Sequence, residues 1–165
     1  MKKRILLMTA TIVLTALSFG TQAQTDVSLS EKGIPVTVSV PAGCVIEEGV
    51  GHGMEMEGVK SYVYELNSGN FSLEVSMDDE PMWAEFSEYM DMAKEFTEDE
   101  YFVRYISSDN SGFLYEFSIE DETYYGFFYM IMKGDRLISF ATGMESDDAS
   151  LENIKEIYAA AKTAK

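Results

Sequence analysis

The sequence predicts an α+β domain: a mostly antiparallel sheet of about six to eight strands with two helices. Three observations carry this. Runs that alternate apolar and polar residues recur between turn signals placed about every eight to twelve residues. Two stretches repeat apolar residues at steps of three and four, each opened by acidic residues. One run, Tyr124 to Met132, is apolar at odd and even positions alike, which marks a central strand covered on both sides. One helix per sheet face, or a partner subunit, would supply that cover.

The chain opens with Lys2, Lys3 and Arg4, an apolar run from Ile5 to Phe19, and Gly20-Thr21-Gln22-Ala23. A basic start, a short apolar stretch and small residues at the cleavage positions predict a signal peptide over residues 1–23. The run is shorter than the roughly 20 apolar residues of a membrane span, and nothing later is long and apolar enough. No integral span is expected. The short basic start and the Thr-x-Ala end suggest a bacterial exported protein, periplasmic or extracellular. Residues 24–32 are polar and read as a flexible lead-in, and residues 33–165 as a single α+β domain.

Val36, Val38 and Val40 alternate with Thr37 and Ser39 until Pro41-Ala42-Gly43 stops the strand. Val45 and Ile46 begin a short strand, and the glycine-rich stretch from Gly49 to Gly58 reads as an exposed loop. Two alternating runs, Ser61 to Leu66 and Phe71 to Asp78, flank Asn67-Ser68-Gly69-Asn70 and predict a hairpin. Phe71, Leu73, Val75 and Met77 make the second run apolar on one face, so its other face is expected to meet water.

Asp78-Asp79-Glu80-Pro81 then supplies capping carboxylates and a proline suited to a first helical turn. Met82, Phe86, Tyr89, Ala93 and Phe96 form the buried stripe of that helix, with Trp83 and Met90 beside it. Strands follow at Tyr101 to Ile106, Phe113 to Ile119, Tyr124 to Met132 and Leu137 to Thr142. Ser146-Asp147-Asp148 is read as the cap of a last helix that buries Leu151, Ile154, Ile157, Tyr158 and Ala161.

With 29 acidic and 12 basic residues the formal charge is −17. Removing the leader takes away three cations and no acid, so the exported chain is more acidic still. Such a polyanion repels nucleic acid and anionic lipid and attracts divalent cations, amines and basic partners. At 46% hydrophobic and 13% aromatic residues the chain is too apolar for disorder. Its single cysteine, Cys44, excludes an intrachain disulfide. Pro41-Ala42-Gly43-Cys44 ends like a lipidation motif but lies far from the apolar leader, so Cys44 reads as a small buried apolar residue.

The element order resembles the PsbP/Mog1-like fold group. The likeness rests on the opening strand that ends in Val40-Pro41-Ala42-Gly43, the hairpin, the helix after Pro81, the paired strands Phe113 to Ile119 and Tyr124 to Met132, and the closing helix. It covers nearly the whole chain after the leader. It implies a small α/β/α sandwich used as a binding or accessory module, and it carries no catalytic set onto these residues.

The chemistry-bearing constellations are few. His52, Met54 and Met56 alternate in the glycine loop, and one imidazole with two thioethers suits Cu(I). An exposed histidine in a loop is the plainer reading. Acidic clusters at residues 78–80, 98–100, 120–122 and 145–148 suit calcium only if two meet, and each also sits where turns and caps favour carboxylates. No nucleophile elbow, zinc helix, phosphate loop or dinucleotide fingerprint is present. Tyrosines on strands, among them Tyr62, Tyr64 and Tyr124, either pack across strands or present a recognition face. The expected protein is an exported non-enzymatic binding or accessory module of the bacterial cell envelope with no cofactor. Its partner is expected to be an envelope or extracellular protein or ligand. Tyr62, Tyr64, Tyr124, Glu120, Asp121 and Glu122 are the candidate contact residues. The alternatives are a calcium- or copper-binding exported protein and, after that, a small hydrolase.

Overall fold

The computed structural model describes residues 23–49, 60–143 and 150–165. The expected leader except Ala23, the His52-Met54-Met56 constellation, and Ser146 to Asp148 lie outside the described residues. The first two strands, β1 (Gln24–Ser28) and β2 (Thr37–Pro41), pair antiparallel as a ribbon of their own. The lead-in over residues 24–32 is therefore a strand followed by a 3-10 turn at Ser30–Lys32. Its polar composition reflects an exposed strand: β2 carries the buried residues of the pair, and the Ala42 amide donates to the Ala23 carbonyl at 2.7 Å. Leu29 and Ile34, both fully buried, fold the connection under the ribbon.

The other seven strands form one antiparallel sheet: β3 (Val45–Glu48), β4 (Ser61–Ser68), β5 (Phe71–Asp78), β6 (Phe102–Ser108), β7 (Gly112–Ile119), β8 (Glu122–Lys133) and β9 (Arg136–Thr142). Their order is β3-β4-β5-β9-β8-β7-β6, which leaves β3 and β6 as edges. The strand periodicity sorts two kinds of transverse row. Tyr64, Val75, Phe140 and Tyr129 align on one face. Glu65, Glu74, Ala141, Phe128 and Phe113 align on the other.

Helix α2 (Leu151–Ala161) covers the first face together with the ribbon. Ile154, Ile157, Tyr158, Ala160 and Ala161 are buried, and the Tyr158 ring lies 5.2 Å from that of Phe127. Its cap is Ser150, whose hydroxyl oxygen accepts the Asn153 amide at 3.3 Å. The chain end is pinned to β2: Thr37 and Lys165 exchange backbone hydrogen bonds at 3.1 Å, and the Ser39 amide donates to Thr163 Oγ1 at 2.8 Å.

Helix α1 (Phe86–Thr97) lies on the opposite face and buries Met90 against Phe113 and Met130. It begins five residues after Pro81. The Met82 amide bonds the Asp135 carbonyl, which holds the preceding segment on the β8–β9 turn, and Glu85 with Glu88 closes the first helical turn. The expected stripe is only partly used, because Phe96 is 70% exposed, and Trp83, expected beside the stripe, is 71% exposed. Strand β8 is apolar on both faces for the reason expected: Phe127 and Tyr129 meet α2, and Phe128 and Met130 meet the α1 side.

Strand β5 departs from expectation. Ser72 and Glu74, on the face expected to be wet, are buried. β5 is an interior strand between β4 and β9, and the backbone at Gly143 lies directly against Ser72.

The β7–β8 turn places Glu120 and Asp121 at φ of 51° and 66°, both left-handed. A two-residue hairpin turn of this type favours Asn-Gly. Glu120→Asn with Asp121→Gly is therefore expected to stabilise the fold by about 1 kcal/mol, read as a higher urea midpoint. An unchanged midpoint would contradict the strain.

Asp109 ties α2 to the β6–β7 turn. It accepts the Ser111 and Gly112 amides at 2.9 and 3.0 Å and the Lys162 ammonium at 2.8 Å. The Lys162 hydrogen bond, ahead of the opposing effect of burial, holds the Asp109 carboxyl below its ordinary value. A lowered folded pKa gives stability that is present above the unfolded value and lost as pH falls through the folded one. Acid unfolding below about pH 4 should therefore be shallower in Asp109→Asn than in wild type, measured as urea midpoint against pH. Equal slopes would contradict this role.

Candidate functional site

On the α1 face, alternation along β7 and the pairing of β6 and β8 assemble a chain of aromatic rings. Centroid separations are 4.8 Å for Phe102–Tyr105, 5.2 Å for Tyr105–Phe113, 5.9 Å for Phe113–Tyr115, 5.8 Å for Tyr115–Phe117 and 5.5 Å for Phe117–Tyr124. The last pair is stacked at 23°. Phe113, Tyr105, Tyr115 and Phe128 belong to the cluster that packs with α1. Phe117 and Tyr124 lie outside that cluster and are half-buried, and Ile119, next on the same face, is 40% exposed.

Gly126 makes the arrangement possible. It sits opposite Tyr115 in the ladder, and a Cβ there would lie 2.6 Å from the Tyr115 Cζ and hydroxyl oxygen. The bare backbone lets the ring lie across the neighbouring strand.

Carboxylates flank these rings from two directions. Glu98 and Asp99 come from the loop between α1 and β6. The Tyr105 hydroxyl donates to Glu98 Oε1 at 3.0 Å, and Asp99 Oδ1 accepts the Tyr101 and Phe102 amides at 2.8 and 3.1 Å. Glu122 comes from the turn side, where its Oε2 accepts the Tyr124 hydroxyl at 2.8 Å. Burial first, then the Glu98 carboxylate, pushes the Tyr105 hydroxyl up to about 12. Burial, then the charge of Asp99, raises that of Tyr115. Both hydroxyls remain protonated donors at neutral pH. The corner thus offers π faces, hydroxyl donors and anionic acceptors, a set suited to holding a ligand.

The six residues singled out in the sequence divide between two places. Tyr124 and Glu122 lie in this corner, and Glu120 and Asp121 at the exposed tip of the adjoining turn. Tyr62 and Tyr64 lie on the opposite sheet face, packed beside the main core. The Tyr62 ring lies against the backbone at Gly33, with Lys60 4.4 Å from its centroid, and Lys32 lies 5.7 Å from the Tyr64 ring. Tyr115 and Phe117 were not singled out, Asp99 entered only within the acidic cluster at 98–100, and Tyr105 only as one of the strand tyrosines. The alternation of Phe113, Tyr115 and Phe117 was the available signal.

A second polar feature lies toward the β3 edge of the same face. Glu47, Glu65 and Glu74 align across three strands, with Glu65 and Glu74 buried. Asn67 Nδ2 donates to Glu47 Oε2 at 3.0 Å and Glu65 Oε2 at 3.4 Å. An open depression of about 380 Å³ beside them is lined by Gly43, Val45, Glu47, Asn67, Ser68 and Gly69. Among the described residues, no three His, Cys, Asp or Glu side chains are grouped to hold a metal ion. Cys44 is half-buried, and burial, against an opposing hydrogen bond with Ser68, raises its thiol pKa. No helix among the described residues is long and apolar enough to cross a membrane. No protein-family model, curated protein or solved structure matches the chain.

Proposed function

We propose that the protein is an exported, non-enzymatic binding module of a bacterial cell envelope, and that the Phe117–Tyr124 corner is its recognition surface. The observation that carries this reading is the half-buried aromatic stack, with Glu122 on the Tyr124 hydroxyl and Asp99 on the amide of Phe102, which pairs with Phe117. Its groups favour holding over turnover: the corner's carboxylates accept hydrogen bonds, and the raised tyrosine hydroxyls do not exchange protons near neutrality. The raised thiol of Cys44 makes a poor nucleophile. The leader-like residues 1–23 support export, and the element order supports a place in the PsbP/Mog1-like fold group.

The test is a binding screen of the exported protein against envelope glycans and short peptides, with Tyr124→Ala beside wild type. Saturable binding with the ligand recovered intact, weakened about tenfold by Tyr124→Ala, is expected. Mass-spectrometric evidence that the ligand is consumed would contradict the non-enzymatic reading.

A further inference from the structure

Resting on that reading of the corner, we propose that the Phe117–Tyr124 stack receives lysine or arginine side chains from a basic segment of a partner protein. Three observations converge. The stack presents partly open aromatic faces, which attract cations through the ring quadrupole. Carboxylates adjoin it from two elements at one end of the sheet, Glu98 and Asp99 from the α1–β6 loop, whose Tyr101 carbonyl accepts the Ser118 amide, and Glu120, Asp121 and Glu122 from the β7–β8 turn. None of the ion pairs among the described residues uses any of these five. The chain as a whole carries −17, so a cationic partner is steered toward it and an anionic one repelled.

The same chemistry already operates within the molecule. Lys60 lies 4.4 Å from the Tyr62 ring centroid and Lys162 lies 4.3 Å from that of Tyr158. The corner likewise sets anions beside aromatic rings, on two flanks: Asp99 at the Phe102 amide and Glu122 at the Tyr124 hydroxyl. Two flanks suit several cations carried on one chain better than a single ion. The aliphatic stem of an arginine or lysine also finds apolar surface there at Ile119, which is 40% exposed.

The test is calorimetric titration of the exported protein with a hexa-arginine peptide, and with a neutral Gly-Ser hexamer as control. Saturable binding of hexa-arginine alone is expected. Glu120→Gln with Glu122→Gln should weaken it about fivefold or more, while Glu31→Gln with Glu152→Gln, an equal charge change at remote exposed sites, should shift it less than about twofold. Tyr124→Phe keeps the ring and should retain most of the affinity, whereas Tyr124→Ala should lose about fivefold. Equal weakening by the remote pair would overturn the proposal in favour of diffuse attraction. A neutral glycan that binds through Tyr124 while hexa-arginine stays silent would overturn the cationic specificity and leave the recognition surface standing. Absence of any Tyr124-dependent ligand would overturn both.

Discussion

Gly112→Ala is expected to destabilise the protein by about 3 kcal/mol, lowering the thermal midpoint by about 10 °C. Gly112 begins β7 opposite Tyr129. A Cβ there would lie 2.5 Å from the Phe128 carbonyl oxygen, 3.0 Å from Tyr129 Cα and 2.9 Å from the Tyr158 hydroxyl. Two of these are backbone atoms of the adjacent strand and cannot swing aside. The third belongs to α2, so one methyl group presses on strand pairing and helix docking together. Gly134→Ala is the control. Its φ of 65° also disfavours a side chain, but nothing lies within 4 Å, so only the conformational cost of about 1 kcal/mol remains. Chemical denaturation of both variants separates the two effects. A Gly112→Ala variant milder than Gly134→Ala would contradict the close packing at this junction.

Phe140→Ala is expected to cost about 4 kcal/mol. Phe140 is fully buried in β9, opposite Val75 on one side and Tyr129 on the other, with its ring 5.7 Å from that of Tyr129. Its removal opens a cavity where rigid neighbours from two strands cannot collapse. Phe96→Ala on α1 removes a ring of the same size that is 70% exposed, and should change stability by less than about 0.5 kcal/mol. Similar losses in the two variants, measured by urea unfolding, would contradict the packing of α1.

That contrast shows where the sequence was legible. Alternation located the hairpin strands, because Leu66, Phe71, Leu73, Val75 and Met77 fall on the one face that joins the main core. The double apolar character of Tyr124 to Met132 correctly announced cover on both faces. Spacing alone overstated α1: Phe96 has the right period, but α1 fully buries only Met90. The strand at Gln24–Ser28 was hidden because its side chains face outward and its order comes from backbone pairing with β2. The burial of Ser72 and Glu74 was also illegible, since polar residues in a strand signal solvent and the segment alone does not show that β5 lies inside the sheet. For the candidate site, the turn acids and Tyr124 stood out by composition. Phe117 did not, and nothing linked the 98–100 acids to it, because the corner is assembled by the pairing of β6, β7 and β8, which no single segment encodes. Tyr62 and Tyr64 share composition with Tyr124 but lie on the opposite face, where Gly33 and the lysines Lys32 and Lys60 engage them.

The most direct test of the recognition surface is a backbone amide NMR titration of the exported protein with hexa-arginine. The account expects the largest shifts at Asp99, Phe117, Ile119, Glu122 and Tyr124, with Tyr62, Tyr64, Glu47 and Asn67 unmoved. Shifts centred on the Glu47–Asn67 depression or on the Tyr62–Tyr64 face, with the Phe117–Tyr124 corner silent, would contradict it.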